Sequence, residues 1–386
     1  MNHLAPVGLT ADSADRRVMP RGLLRGEWFL GVSVALSAAF LLFGERLFTM
    51  LAGPLGTAAL FIVLFSAILG AALAVVRHAD HLAELLGEPY GTLILTVSVA
   101  FIEIVSISAV ILHGDSNPTL VRDSLLSVVM IILNGMVGVS LLIGALRHRE
   151  QHYNLQGANA YLGVIIPLVV LSLVLPTFTH ATEGPTLSLI QRAFLIIMSI
   201  GLYGAFLAVQ TGRHRGYFVE DVDARAEDHA EAANGGHPVA RHALLLVAYM
   251  LPVVVLAEQL ARPIDYLIET LHAPAAIGGI VLAVLVATPE AIGAVRAALH
   301  NNIQRAVNIF LGSVLATIGL TVPAMLIIGH LAGLPMILGV QGVDMVMLLL
   351  TLVVSVVTFA SGRTNILQGA VHLLLFAAYL LLMFQG

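Results

Sequence analysis

A chain of 386 residues that is 59% hydrophobic and 11% charged, with mean hydropathy +0.96, carries more apolar surface than a soluble domain can hide. It contains no cysteine, which excludes disulfides, thiol nucleophiles and cysteine-type metal sites. The net charge of −5 decides little, because orientation in a bilayer depends on where the positive residues fall.

Arg16, Arg17, Arg21 and Arg25 come before the first apolar run. That run predicts a helix over about 28–44, retained rather than cleaved, since Glu45-Arg46 follows where a signal peptide would place small residues. Further windows of about 20 apolar residues, the length that crosses a hydrocarbon core, lie at 54–76, 90–112, 124–146, 158–176 and 187–209. The segment 211–241 then interrupts the pattern. Glu220, Asp221, Asp223, Glu227, Asp228 and Glu231 make it acidic, yet it lacks the glycine and glutamate spacing of an EF-hand loop, so it reads as a solvated linker. Five more windows follow at 242–260, 274–299, 305–328, 342–360 and 365–384. The expectation is an all-α polytopic membrane protein of about 11 transmembrane helices, and runs this long exclude a barrel of short alternating strands.

Arginine placement predicts the orientation. With the N-terminus cytoplasmic, only Arg46, Arg122, Arg192 and Arg262 fall in outer segments, and the other fourteen of the eighteen basic residues fall inside. One missed or invented span would swap every later loop, so the bias also supports the helix count. The C-terminus is then expected on the outer side.

Two of the apolar windows hold a glutamate. Glu103 lies in the third helix and Glu290 in the eighth, and each glutamate helix leads into one bearing a serine, Ser127 and Ser313. The two pairs have nearly equal spacing, and five intervening spans put the two units in opposite orientations. This predicts a 1 + 5 + 5 arrangement with two inverted-topology repeats: 1–52 as N-terminal segment and extra helix, 53–210 as the first repeat, 211–241 as linker and 242–386 as the second repeat. Folds of this kind bind substrate near the bilayer midplane, between interrupted helices from both halves.

An acid at the centre of a membrane helix costs about 2.5–3.5 kcal/mol, and two anions in one pocket repel. Either a proton or a cation must neutralise them, so the two occupants compete for one site. Hard cations take oxygen ligands, and oxygen is what the neighbouring positions offer. Thr92 and Thr96 fall within about 20° of Glu103 around the helix, with Ser106 about 60° away. Ser124, Ser127 and Asn134 share a stripe on the fourth helix; Ser313, Thr317 and Thr321 do the same on the ninth. Asn308 lies on a different face from Ser313 and suits packing or a gate. Pro289 has no N–H, which predicts that the Leu285 carbonyl loses its helical partner and becomes available as a ligand. Gly279, Ala283, Ala287, Gly293 and Ala294 are small and let helices approach closely. Each hydroxyl also has a structural reading, as a bond back to its own helix.

Other polar residues are read differently. Glu258, Asp344 and Gln191-Arg192 are placed at interfaces or entrances. His78, His81, His148, His152, His180 and His372 show no ligand spacing, with pH sensing as the alternative to a structural role.

The stretches Gly87-Glu-Pro-Tyr-Gly-Thr-Leu-Ile-Leu-Thr-Val-Ser-Val-Ala-Phe-Ile-Glu103 and Thr288-Pro-Glu-Ala-Ile-Gly through Phe310-Leu-Gly-Ser313 resemble the two α-repeats of the calcium:cation antiporter superfamily, with the bacterial sodium-potassium/calcium:proton antiporters as the nearer likeness. The resemblance runs from about Gly87 to the C-terminus. It implies an exchanger of the bacterial inner membrane, with Glu103 and Glu290 as metal ligands and proton carriers, helices 2 and 7 sliding as gates, and helix 1 peripheral. One departure stands out. Calcium exchangers of the superfamily usually carry an asparagine three residues before the glutamate, where this chain has Ala100 and Ala287.

The resulting expectation is a cation/proton antiporter with the cation and protons sharing Glu103 and Glu290, supported by Thr96, Ser127, Asn134, Asn308, Ser313, Thr317 and the Leu285 carbonyl. Ca²⁺ comes first because two carboxylates neutralise it, with Na⁺ or K⁺ next. No resident cofactor and no nucleic acid are expected; the partners are the inorganic cation, protons and the lipid bilayer, with the oligomeric state open. A cation channel is the alternative from another class. An intramembrane hydrolase lacks the HExxH, GxSG-type or paired-aspartate motif it would need.

Overall fold

A computed structural model describes residues 27–86, 90–113, 117–182, 184–218 and 236–385, and within them every apolar window is a helix. Most of the acidic linker, 219–235, lies outside the described residues. Eleven helices are long and apolar enough to cross a membrane. They are α1 (Trp28–Met50), α2 (Pro54–Leu86), α3 (Tyr90–His113), α4 (Leu120–His148), α5 (Leu155–Phe178), α6 (Leu189–Arg213), α7 (Gly236–Asp265, continued to Thr270), α8 (Ala276–Leu299), α9 (Ile303–Ala332), α10 (Gly342–Phe359) and α11 (Ile366–Gln385). No strand occurs among the described residues, only an isolated bridge between His152 and Arg363.

Loop contacts place alternate helix ends together. At one end the α4–α5 loop reaches the α8–α9 and α10–α11 connections: Gln151 Nε2 donates to Ala298 O at 2.9 Å, His148 Nε2 to Leu299 O at 2.9 Å, and Thr364 N to Gln151 O at 3.0 Å. The His148 bond pairs the Leu299 carbonyl, one of those the C-terminal turn of a helix leaves without an intrahelical donor. At the other end Ile337 N donates to Pro118 O at 2.9 Å and Val340 N to Leu173 O at 2.7 Å, joining the α3–α4 and α9–α10 loops and α5. Among the described residues, the first end carries Arg77, Arg147, Arg149, Arg213, Arg215, Arg241, Arg296, Arg305 and Arg363, and the second only Arg46, Arg122, Arg192 and Arg262. They are called here the arginine-rich and arginine-poor ends.

Burial ranks the helices by position. In α4 and α9, 78% of the span is covered by protein, and in α3 67%, against 22% for α1 and α11. Lipid therefore faces α1 and α11, while α3, α4, α8 and α9 form the centre. Small residues let α8 in: a Cβ on Gly279 would lie 2.6 Å from the main-chain carbon of Asp123 on α4.

The inverted repeat appears in the backbone itself. Both central helices break their α pattern with a π-helical turn, at Ile131–Met136 in α4 and Thr317–Thr321 in α9. Ile131 and Thr317 are separated by the same number of residues as Ser127 and Ser313. Further π-helical turns lie at Val170–Val174 in α5, Val209–Arg213 in α6 and Tyr266–Thr270 after α7. α8 continues as one α-helix from Ala276 to Leu299 with Pro289 inside it, so the main chain beside Glu290 stays helical.

The Gly279 contact gives a stability prediction. Gly279→Ala should lower stability by roughly 1–3 kcal/mol through overpacking of α8 against α4. Gly201→Ala, on α6 with open space around it, should be neutral or stabilise by up to about 1 kcal/mol through helix propensity. Thermal unfolding of the two variants in detergent checks the difference.

Candidate cation site

α3 brings Glu103, and α8 brings Glu290, against the same face of α9, and each residue is 1% exposed. That face is the hydroxyl stripe. Thr317 Oγ1 donates to Glu103 Oε2 at 2.8 Å and Thr321 Oγ1 to the same oxygen at 3.2 Å. Ser313 Oγ, one turn earlier, donates to Glu290 Oε2 in a short hydrogen bond. Residues at i, i+4 and i+8 line one side of a helix, so a single stripe holds both acids.

Each carboxylate has one oxygen left. Glu103 Oε1 and Glu290 Oε1 are buried and have no protein hydrogen-bond partner; the hydroxyl of Ser106, one turn along α3 from Glu103, has none either. Leaving a buried charged oxygen unpaired costs several kcal/mol. The arrangement can therefore hold two protons, or one cation shared by the bare oxygens, and not two unshielded anions.

A cavity of about 660 Å³ runs from the arginine-rich end between α2, α8 and α9. Arg77 and Asp80 stand on one side, Arg296 and Arg305 on the other, and it reaches Pro289, the chain neighbour of Glu290. At the arginine-poor end a cavity of about 230 Å³ is lined by Val110, Asn117, Asp265 and Glu269 among others. Neither carboxylate lines either cavity.

The remaining expected residues lie elsewhere. Ser127 Oγ is 2.9 Å from the Tyr379 hydroxyl on α11. Asn134 donates to Thr351 on α10 at 2.8 Å and faces His372 Nδ1 at 3.3 Å, and His372 Nε2 meets Thr358 at 2.9 Å. The reason is visible in the glycines of the same helix. Gly135 and Gly138 admit Phe376 and Leu373 of α11, so the Ser127–Asn134 side of α4 is the α11 side. Thr96 donates to Leu93 O of its own helix at 3.1 Å and lays its methyl against Gly312. Asn308 donates to Phe218 O at 2.6 Å and accepts from Gln304 at 3.1 Å, tying α9 to the end of α6. Leu285 is fully buried within the unbroken α8. Gln191 closes a capping box with Ser188 at the start of α6. Thr321 joins the site residues expected from the sequence through its bond to Glu103, and its i+4 spacing from Thr317 is the sequence signal for it.

The fold agrees with comparisons to known proteins. Residues 56–212 and 241–385 match the family described as Sodium/calcium exchanger protein. The chain is 40% identical over 319 residues to the Sodium-potassium/proton antiporter ChaA of Escherichia coli (strain K12), covering 82% of this chain and 86% of that protein. It is 43% identical over 314 residues to the Putative ionic transporter y4hA of Sinorhizobium fredii, covering 81% and 85%. The solved structure of native YfkE shares the fold, with a TM-score of 0.71 at 20% identity, covering 92% of this chain and all of that one. The chain thus belongs to the sodium/calcium exchanger protein family, a family of multi-pass membrane antiporters and not of enzymes.

Proposed function

We propose that this protein exchanges a cation for protons by alternating access, with both competing for Glu103 and Glu290. The observation that carries this reading is the pair of bare oxygens, Glu103 Oε1 and Glu290 Oε1, left over after one hydroxyl stripe has bonded the other two. A cation entering between them replaces two protons. The hydroxyls of Ser313, Thr317 and Thr321 hold the carboxylates in place through either occupancy, because a hydroxyl donates to a carboxylate and can turn a lone pair to a carboxylic acid.

The bacterial relatives support an inner-membrane placement, and the arginine distribution supports a cytoplasmic N-terminus and a periplasmic C-terminus. The 660 Å³ cavity then lies on the cytoplasmic side and approaches the site as far as Pro289. A channel would need a continuous route open at both ends, whereas both glutamates are buried and line the cavity at neither end. In this reading the five-helix units 53–210 and 242–386 supply one carboxylate each, and 211–241 joins them.

Ca²⁺ is the leading cation, because two carboxylates cancel its charge and supply hard oxygen ligands. A monovalent reading, Na⁺ or K⁺ for H⁺, is favoured by two observations. The 40%-identical relative carries the name of a sodium-potassium/proton antiporter, and Ala100 and Ala287 remove the amide oxygens that calcium exchangers of this kind usually place before the glutamates.

In proteoliposomes an imposed pH gradient should drive cation uptake, and the cation should in turn drive proton movement. Glu103→Gln and Glu290→Gln should each reduce exchange to background; wild-type rates in both would remove the site assignment. Competition of Na⁺, K⁺ and Mg²⁺ against Ca²⁺ in the same assay separates the two ion readings.

The hydroxyls give a sharper contrast. Ser313→Ala deletes a hydrogen bond to a charged group, worth about 1.5–3 kcal/mol, and should weaken exchange roughly tenfold or more. Ser127→Ala should leave it within about twofold, because Ser127 is bonded to Tyr379 and a typical neutral hydrogen bond is worth only about 1 kcal/mol. Equal losses in both would contradict the one-sided role of α9.

A further inference from the structure

At the arginine-rich end, α1, α2 and α7 meet around ionisable side chains that the exchange chemistry does not use. Glu27, at the start of α1, accepts from Arg77 of α2 at 2.5 Å and from the Tyr249 hydroxyl of α7 at 2.9 Å. Burial pushes its carboxyl up, but the Tyr249 bond and the Arg77 charge outweigh that and hold it below the usual carboxylate range, so it stays an anion near neutrality. His78 of α2 is 1% exposed. Its Nε2 lies 3.5 Å from Glu27 Oε2 and 3.4 Å from the Arg77 guanidinium. Its Nδ1 lies 3.0 Å from Nδ1 of His242 on α7.

Two ring nitrogens at that distance form a hydrogen bond only while one of them is bare. Either tautomer of His78 allows it, since Nε2 can donate to Glu27 or accept from Arg77. Protonating both rings does not: both nitrogens then donate, and two cations face each other. The surroundings raise that penalty. Arg77, Asp80 and His81 on α2, and Arg241 on α7, flank the pair, and the His81 ring centroid is 4.8 Å from that of His242. Arg305 of α9 is paired with Asp80 at 3.0 Å, and Arg296 and His300 of α8 stand across the cavity. The described part of α3 at this end, from Leu93, adds no acid or base before Glu103. Among the described residues no group of three histidine or acidic side chains is arranged to hold a metal ion.

We propose that His78 and His242 form a proton-released clasp between α2 and α7. With a bare nitrogen between them the rings tie the two helices together; with both rings protonated the bond is lost and the helices part at this end. Arg77, Asp80 and His81 line the cavity that reaches Pro289, so release reshapes the mouth of the route to Glu290. The clasp does not depend on which cation is carried.

The chain has no cysteine, so two introduced ones report cleanly. Leu85→Cys on α2 and Leu244→Cys on α7, both exposed near this end, would carry spin labels on the full-length protein in lipid nanodiscs. Pulsed dipolar distances would be read from about pH 8 to about pH 4, below the range of a free histidine because burial and the surrounding arginines oppose the second proton. A longer-distance population should grow on acidification with both histidines present, and should be lost in His78→Gln and in His242→Gln. No lengthening in the parent, or lengthening that persists in either variant, would overturn the proposal. Persistence would assign the acid response to another group, such as the buried glutamates.

Discussion

Two carboxylates kept out of water cannot both stay charged unless something positive lies between them. In a medium of low effective dielectric their mutual repulsion, and the loss of hydration of each, amounts to several kcal/mol. The bundle is arranged around that constraint. α3 and α8 each deliver one acid to α9, each acid spends one oxygen on a hydroxyl, and each keeps the other oxygen unbonded. A fully hydrogen-bonded pair would be a structural pin. A pair with two oxygens unbonded is a binding site whose occupant must carry positive charge.

The two halves share a backbone plan but divide the chemistry unequally. Both α4 and α9 contain a π-helical turn at equivalent positions, yet α9 fills its stripe with Ser313, Thr317 and Thr321 whereas α4 places Ile131 and Gly135 at the positions of the threonines. Glycines on α4 draw α11 close, and the polar side chains of α4 serve that contact through Tyr379, Thr351 and His372. The hydroxyl bonds to both glutamates thus come from the second half. Glu103 receives two and Glu290 one, so the two acids are inequivalent despite the pseudo-symmetry.

The helices were legible in the sequence because each apolar run is long enough to admit one structure in lipid. The two glutamates were legible because an acid inside such a run needs a reason. The α9 stripe was legible from its i, i+4, i+8 spacing alone. Ser127 and Asn134 were not resolved, because periodicity shows that side chains share a face and not which neighbour that face meets; here two glycines decided it. Pro289 removes one N–H without breaking α8, which stays helical through it. The His78–His242 contact joins residues from separate halves, and no spacing rule reaches across such a gap.

The central claim is that cation and protons occupy the same two oxygens in turn. Its most direct test is proton release on cation binding, read with a pH indicator in weakly buffered, detergent-solubilised protein. The account predicts that adding the transported cation releases protons from the wild-type protein, and that replacing either glutamate by glutamine reduces the release. Tight cation binding with no protons displaced would contradict it.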